Sequence, residues 1–273
     1  MRGAKRTWTL LLAGLLAGCA PAAFRQSAAP AVPRTATPAQ PTQARPTLSA
    51  GLQASFSEGG VIWLEGGRVT LARAPGFRLQ AVALPGPASA VAWQGGLPWV
   101  ALGGLGLLVS ADGRPLSVPV GRVVALSATR AYRQDGSAVS VSPAGAVTPA
   151  GGVPGTPSAV LTGGDGLDYA EANGALYRVT GLGEAQLLDE SPGPLLSLTP
   201  QGAVSARLPG VQTLGGLYRL TGTALERLDG SGRLLASAPH PPGQVGVVSG
   251  MIVTVSAGGR LRVFAPDLRE LRP

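Results

Sequence analysis

The chain has 273 residues, with 22 Lys or Arg against 14 Asp or Glu, a formal net charge of +8, one His and one Cys. A single cysteine excludes an intramolecular disulfide, and one histidine leaves no His-Cys cluster for zinc. Only 13% of residues are charged while 41 are Gly and 25 are Pro, a composition rich in turns and poor in helix formers.

In chain order, the first element is a basic patch (Arg2, Lys5, Arg6) followed by the apolar run WTLLLAGLLAG from Trp8 to Gly18. That is the pattern of a secretory signal, too short to remain as a membrane-spanning helix of ~20 residues. The segment Leu16-Ala17-Gly18-Cys19 resembles the lipobox of bacterial lipoproteins. The resemblance implies that residues 1–18 are a signal peptide, that Cys19 carries the lipid, and that the protein resides in the cell envelope, bound to a membrane on its exported side. Ala20 stands where Asp would resemble an inner-membrane retention signal, which points to the outer membrane.

Residues 19–50 form the lipidated N-terminus and a linker rich in Ala, Pro and Thr, with Pro at 21, 30, 33, 38, 41 and 46. They lack apolar periodicity, so a disordered tether is predicted. Loss of Arg2, Lys5 and Arg6 with the signal lowers the charge from +8 to +5, and Arg25, Arg34 and Arg45 lie in the tether. Basic and acidic groups are then close to balance from Gly51 onward, which excludes a nucleic-acid partner. The mature chain contains no Lys, so P-loop and Schiff-base lysine chemistry are excluded too.

Residues 51–273 repeat one unit, an apolar run, a tight turn and another apolar run. The turns are Gly66-Gly67, Gly103-Gly104, Asp135-Gly136, Asn173-Gly174, Gly215-Gly216 and Gly258-Gly259. Such dipeptides suit hairpins, and their spacing of roughly 40 residues marks a repeat architecture. A second turn follows nine residues later at Gly76, Gly113, Gly145 and Gly183, with Leu268 in that place in the last repeat. A further apolar run precedes each hairpin: LQASF, SAVAW, VVALS, SAVLT, LLSLT and VGVVS. Four short strands per repeat predict an all-β fold, a β-propeller of six four-stranded blades. The chain starts with an inner strand and ends with an outer one, so apolar packing between the first and last blades closes the ring.

The fourth and fifth hairpins, GALYRVTGLGEAQLL and GLYRLTGTALERL, resemble the repeats of quinoprotein-like and WD40-like propellers. That resemblance implies a propeller and a scaffolding role.

For chemistry, the candidate site is the acidic loop GGDGLDYAEANG with Asp165, Asp168, Glu171 and Asn173. Oxygen ligands at this density suit calcium. Yet LDYAEA reads as a strand, and alternation sends Asp168 and Glu171 to opposite faces. The expectation is therefore no metal, no cofactor and no catalytic residue. His240, in SAPHPPG, is expected as a solvated turn residue, and Trp63, Trp93 and Trp99 as blade-packing residues. The function predicted is a non-catalytic, membrane-tethered module that binds an envelope protein. A carboxylate- or metal-dependent envelope enzyme of the lactonase or sugar oxidoreductase class stays open as the alternative. A carbohydrate-binding module ranks third, because only 4% of residues are aromatic.

Overall fold

The computed structural model describes residues 51–271, apart from 113–115, 182–184, 191–194, 200–201 and 207. The signal peptide, Cys19, the tether and the turns at Gly113 and Gly183 lie outside the described residues.

Every regular helix or strand described is a strand. Blade 1 is β1 (Gln53–Ser57), β2 (Gly60–Glu65), β3 (Arg68–Arg73) and β4 (Arg78–Ala81). Blade 2 is β5 (Ala90–Gln94), β6 (Leu97–Leu102), β7 (Leu107–Ser110) and β8 (Ser117–Pro119). Blade 3 holds β9 (Val123–Leu126), β10 (Ala131–Arg133), β11 (Ala138–Val141) and β12 (Val147–Ala150). Blade 4 holds β13 (Pro157–Thr162), β14 (Asp168–Ala172), β15 (Ala175–Val179) and β16 (Gln186–Asp189). Next comes a separate hairpin, β17 (Leu195–Thr199) and β18 (Gly202–Ala206). Blade 5 is β19 (Gly210–Thr213), β20 (Gly216–Leu220), β21 (Ala224–Leu228) and β22 (Leu234–Pro239). Blade 6 is β23 (Gly243–Val248), β24 (Met251–Ser256), β25 (Arg260–Phe264) and β26 (Glu270–Leu271).

Each blade is an antiparallel meander. First strands of successive blades lie side by side, from β1 through β5, β9 and β13 to the hairpin strand β17, then β19, β23 and back to β1. The result is a closed six-bladed β-propeller. One face of the ring carries the turns from first to second and from third to fourth strand; the other carries the turns from second to third.

Local sequence explains the blades. In β2 and β3 both sides are apolar because each inner blade is covered by two neighbours. Asn173 and Gly174, both at positive φ (51° and 76°), make the tight turn that such a dipeptide favours. Leu268 takes the left-handed conformation (φ 67°) at the place where other repeats have Gly, and it is buried there. Trp63, Trp93 and Trp99 are all buried, packed between blades.

The core is a set of slabs between neighbouring blades. Ile62 and Leu71 of blade 1 meet Val91, Val100 and Leu102 of blade 2, for example. Each such side chain contributes ~1.5–3 kcal/mol by leaving water. Polar side chains of the inner strands add bridges between blades: Ser55 Oγ accepts from Trp93 N at 3.0 Å, and Gln94 Nε2 donates to the carbonyls of Ser127 and Arg130.

The fifth repeat departs from the sequence expectation. LLSLT is not the first strand of blade 5 but half of the inserted hairpin. Its β17 joins β19 by a parallel pairing at Leu198 and Val211. Gly215-Gly216 consequently lies between first and second strands, whereas the other five dipeptides lie between second and third. A glycine-rich turn is compatible with either place, so the repeat slips by one strand.

Candidate functional site

The four residues of the acidic loop are spread along β14 rather than gathered. Asp165 sits in the β13–β14 turn, where its Oδ1 accepts from Leu167 N at 3.1 Å and its Oδ2 from the Tyr169 hydroxyl at 2.7 Å. Asn173 lies at the opposite end of the strand, its side chain donating to the Pro154 carbonyl at 2.9 Å. Between them, Asp168 points with Ala170 and Ala172 towards blade 3, and Glu171 points the other way with Tyr169. Burial raises the Glu171 pKa above the ordinary carboxylate value. Among the described residues, no three His, Cys, Asp or Glu side chains are placed to share a metal ion.

Among the described residues, Asp168 is the most heavily engaged side chain. It is wholly buried, and its Oδ2 accepts from Ser127 Oγ (2.6 Å), Thr129 Oγ1 (2.8 Å), Tyr132 hydroxyl (2.9 Å) and an Arg130 nitrogen (3.2 Å). Its Oδ1 accepts from Thr162 Oγ1 at 2.8 Å. Arg130 reaches on to the carbonyls of Val179 and Gly181, so one ion pair ties together the turn of blade 3 and two strands of blade 4. Burial, and then the charge of Asp168, hold the Tyr132 phenol protonated far above its ordinary range. Four of the five donors converge on Oδ2, and burial closes the whole carboxylate off from solvent. It works as a clamp. The reading of the sequence missed Ser127, Thr129, Arg130, Tyr132 and Thr162 as partners. A visible signal was there in SATRAY, where two hydroxyls and an Arg interrupt an apolar run.

His240 corrects the expectation of a solvated turn. Its side chain is buried, with Nδ1 donating to the Pro241 carbonyl at 2.6 Å and Nε2 2.7 Å from Thr254 Oγ1, itself buried. The Phe264 ring lies beside it at 6.2 Å. With Nδ1 as donor, Nε2 accepts from the threonine, which is the neutral tautomer. Burial lowers the pKa below the usual histidine value and so favours that form. The connector from blade 5 to blade 6 tucks this ring under β24, which the flanking prolines concealed.

Among the described residues, blade 5 carries an open groove of about 440 Å³, bounded by the β19–β20 turn (Leu214, Gly215) and the β21–β22 turn (Asp229, Gly230). Leu217 and Leu235 line it, and Leu214 is fully exposed at its rim. The turn bearing Leu214 is pinned: Arg227 donates twice to the Gly215 carbonyl, at 3.1 and 2.8 Å, and stacks over the Tyr218 ring at 6.0 Å. Asp229 is drawn into its own turn by Ser231 and Arg233, which hold its pKa low. The groove therefore offers leucines beside the polar Gln212 and Thr213, on a rim held by the Arg227 hydrogen bonds and with its lining carboxylate already engaged.

No known protein family matches the chain, and no curated protein does. Among solved structures it is similar to BamB from Moraxella catarrhalis, at 14% identity over 77% of this chain and 83% of that one, with a TM-score of 0.44. It is also similar to a catalytically inactive virginiamycin B lyase from Staphylococcus aureus, at 12% identity over 82% and 87% of the two chains, TM-score 0.42. AztD from Citrobacter koseri is a third, at 10% identity over 81% and 69%, TM-score 0.41. At these identities the likeness is one of fold, and the strand topology carries the fold assignment by itself.

Proposed function

We propose that this chain is an envelope lipoprotein, anchored through lipid on Cys19, whose propeller is a non-catalytic module for binding another envelope protein. The lipobox-like LAGC supports the anchor, and Ala20 favours the outer membrane. Two or more acyl chains, at ~0.8 kcal/mol per buried methylene, give a stable attachment. For the folded part, one observation carries the reading. The groups with most chemical potential, Asp168 and His240, are sealed inside structural contacts, while the open groove displays leucines on a pinned turn. Exposed apolar surface on a rigid frame is what protein recognition uses.

Two measurements test the two halves separately. Membrane fractionation with a lipid label should show Cys19→Ser unlabelled and released; undiminished labelling sinks the anchor. Affinity capture from detergent-solubilised envelopes should retain a discrete protein on the mature chain. The doubly substituted Leu214→Ser, Leu235→Ser chain should lose it; equal capture by both removes the groove from the account.

A further inference from the structure

The β17–β18 hairpin occupies a blade's place in the ring but supplies only half a blade. β17 stands in the circle of first strands between β13 and β19, and β18 pairs with β17 as a second strand does. In all six full blades the second strand is covered on its outer side by a third strand. Here β18 is the edge of its sheet among the described residues. The three residues 207–209 that join it to β19 are too few to form the missing strand.

The half-blade is firmly seated. Gly164 N donates to Thr199 O at 3.1 Å across the seam with blade 4. Gly202, at φ 150°, approaches Tyr169 so closely that a Cβ there would collide with the phenol oxygen. Ala203 and Leu198 complete a small cluster with Tyr169 and Leu176 of blade 4. On the other flank, Tyr218, Leu220 and Leu225 of blade 5 face blade 6. Alternation then turns Leu217 of the groove towards the half-blade. The place where a third strand would run is thus a backbone edge between two blades that both present leucine.

Resting on the protein-binding reading, we infer that β18 is a strand-addition site: an extended, proline-free segment of the partner pairs with Gly202–Ala206 and completes the half-blade. What the site lacks is a row of backbone donors and acceptors with apolar residues on both sides, and an extended strand with apolar alternate residues supplies both. The chain's own linker has prolines at 21, 30, 33, 38, 41 and 46 and suits this ladder poorly.

Amide hydrogen exchange on the chain from Cys19 in detergent tests this with a defined probe. The probe is the peptide GALYRVTG, residues 174–181, whose sequence is a third strand in blade 4. Alternate amides of residues 202–206 should exchange freely in the protein alone and slow about tenfold when the peptide is present at ten times its dissociation constant. A version with proline at the tyrosine position should give no slowing. No slowing in β18 with the first peptide overturns the inference. So does protection already present in the chain from Cys19 and lost on truncation to residue 51, which makes the linker the occupant. Protection that depends on protein concentration makes a second copy the occupant and overturns it likewise. An envelope protein captured by the chain that leaves these amides exchanging freely overturns strand addition alone and leaves the protein-binding reading standing.

Discussion

The junction of blades 6 and 1 and the junction of blades 3 and 4 join the same kind of strand by opposite chemistry. At the first, Leu52, Val61 and Trp63 meet Val248, Val253 and Val255, and the large apolar area closes the ring with no strand exchanged between its ends. Gln244 adds a two-point bridge, accepting from Ala54 N at 2.6 Å and donating to Leu52 O at 3.0 Å. At the second, the facing residues are largely alanines, Ala125, Ala138, Ala170 and Ala172, which bury little area each. The space is filled by the Arg130–Asp168 pair and its hydroxyl donors instead. A repeat fold therefore fixes where blades meet without fixing how. Where small residues withdraw apolar area, a satisfied polar network supplies the specificity, and it is unforgiving if one member is removed.

The largest expected effect is at the polar junction. Asp168→Ala leaves the Arg130 guanidinium buried without its carboxylate and should lower stability by ~3–5 kcal/mol in urea denaturation. The paired change Arg130→Met, Asp168→Asn, which removes both charges and keeps an amide oxygen for the hydroxyl donors, should be milder than Asp168→Ala. A pair as harmful as Asp168→Ala would mean that packing, not charge, sets the cost there.

At the apolar junction the bridge is secondary. Gln244→Leu removes two hydrogen bonds to inner-strand backbone and should lower stability by ~1–3 kcal/mol, with the valine slab keeping the ring closed. A loss as large as that of Asp168→Ala would show that the closure depends on the bridge.

The junction of blades 5 and 6 should be the pH-sensitive one. His240 has a lowered pKa when folded, so the unfolded chain binds the extra proton first. The stability it contributes is complete above the unfolded value of about 6.5 and declines as pH falls through that value towards the folded one. Melting temperature should drop between pH 7 and 5, and His240→Gln should flatten that part of the curve. Arg260, Arg262 and Glu270 face the ring, and Arg262 is paired with Glu270 at 2.6 Å. An unchanged slope in the variant would assign the drop to carboxylates elsewhere.

The smallest effect on stability is expected at the groove. Leu214→Ser, on a fully exposed side chain, should stay within ~0.5 kcal/mol of the parent in the same urea titration.

The sequence carried the blades plainly, since alternating apolar runs and paired turn residues are local signals. Five of its six turn dipeptides fall between second and third strands as their phase required. The slip at Gly215-Gly216 arose because the β17–β18 hairpin has the same local pattern as the start of a blade. Only its partners, β13 and β19, distinguish them. The stretch LDGSGRLLASAPHPPG forms a turn closed on Asp229 and a six-residue outer strand, so the irregularity of the fifth repeat lies upstream of it. Within the acidic loop, the split of Asp168 from Glu171 followed from strand alternation. The clamp on Asp168 did not, because Ser127, Thr129, Arg130 and Tyr132 are 36–41 residues away and reach it only through the stacking of two blades. His240 shows the same limit: its partner Thr254 belongs to the next blade.

Site-specific photo-crosslinking in intact cells tests the proposed role most directly. A crosslinker replacing Leu235, in the groove, should give one discrete adduct with a second envelope protein, confined to the membrane fraction. The same group replacing Val147, an exposed residue on the outer strand of blade 3, should give none. No adduct at position 235, or the same adducts from both positions, would contradict a propeller that works by binding an envelope protein through blade 5.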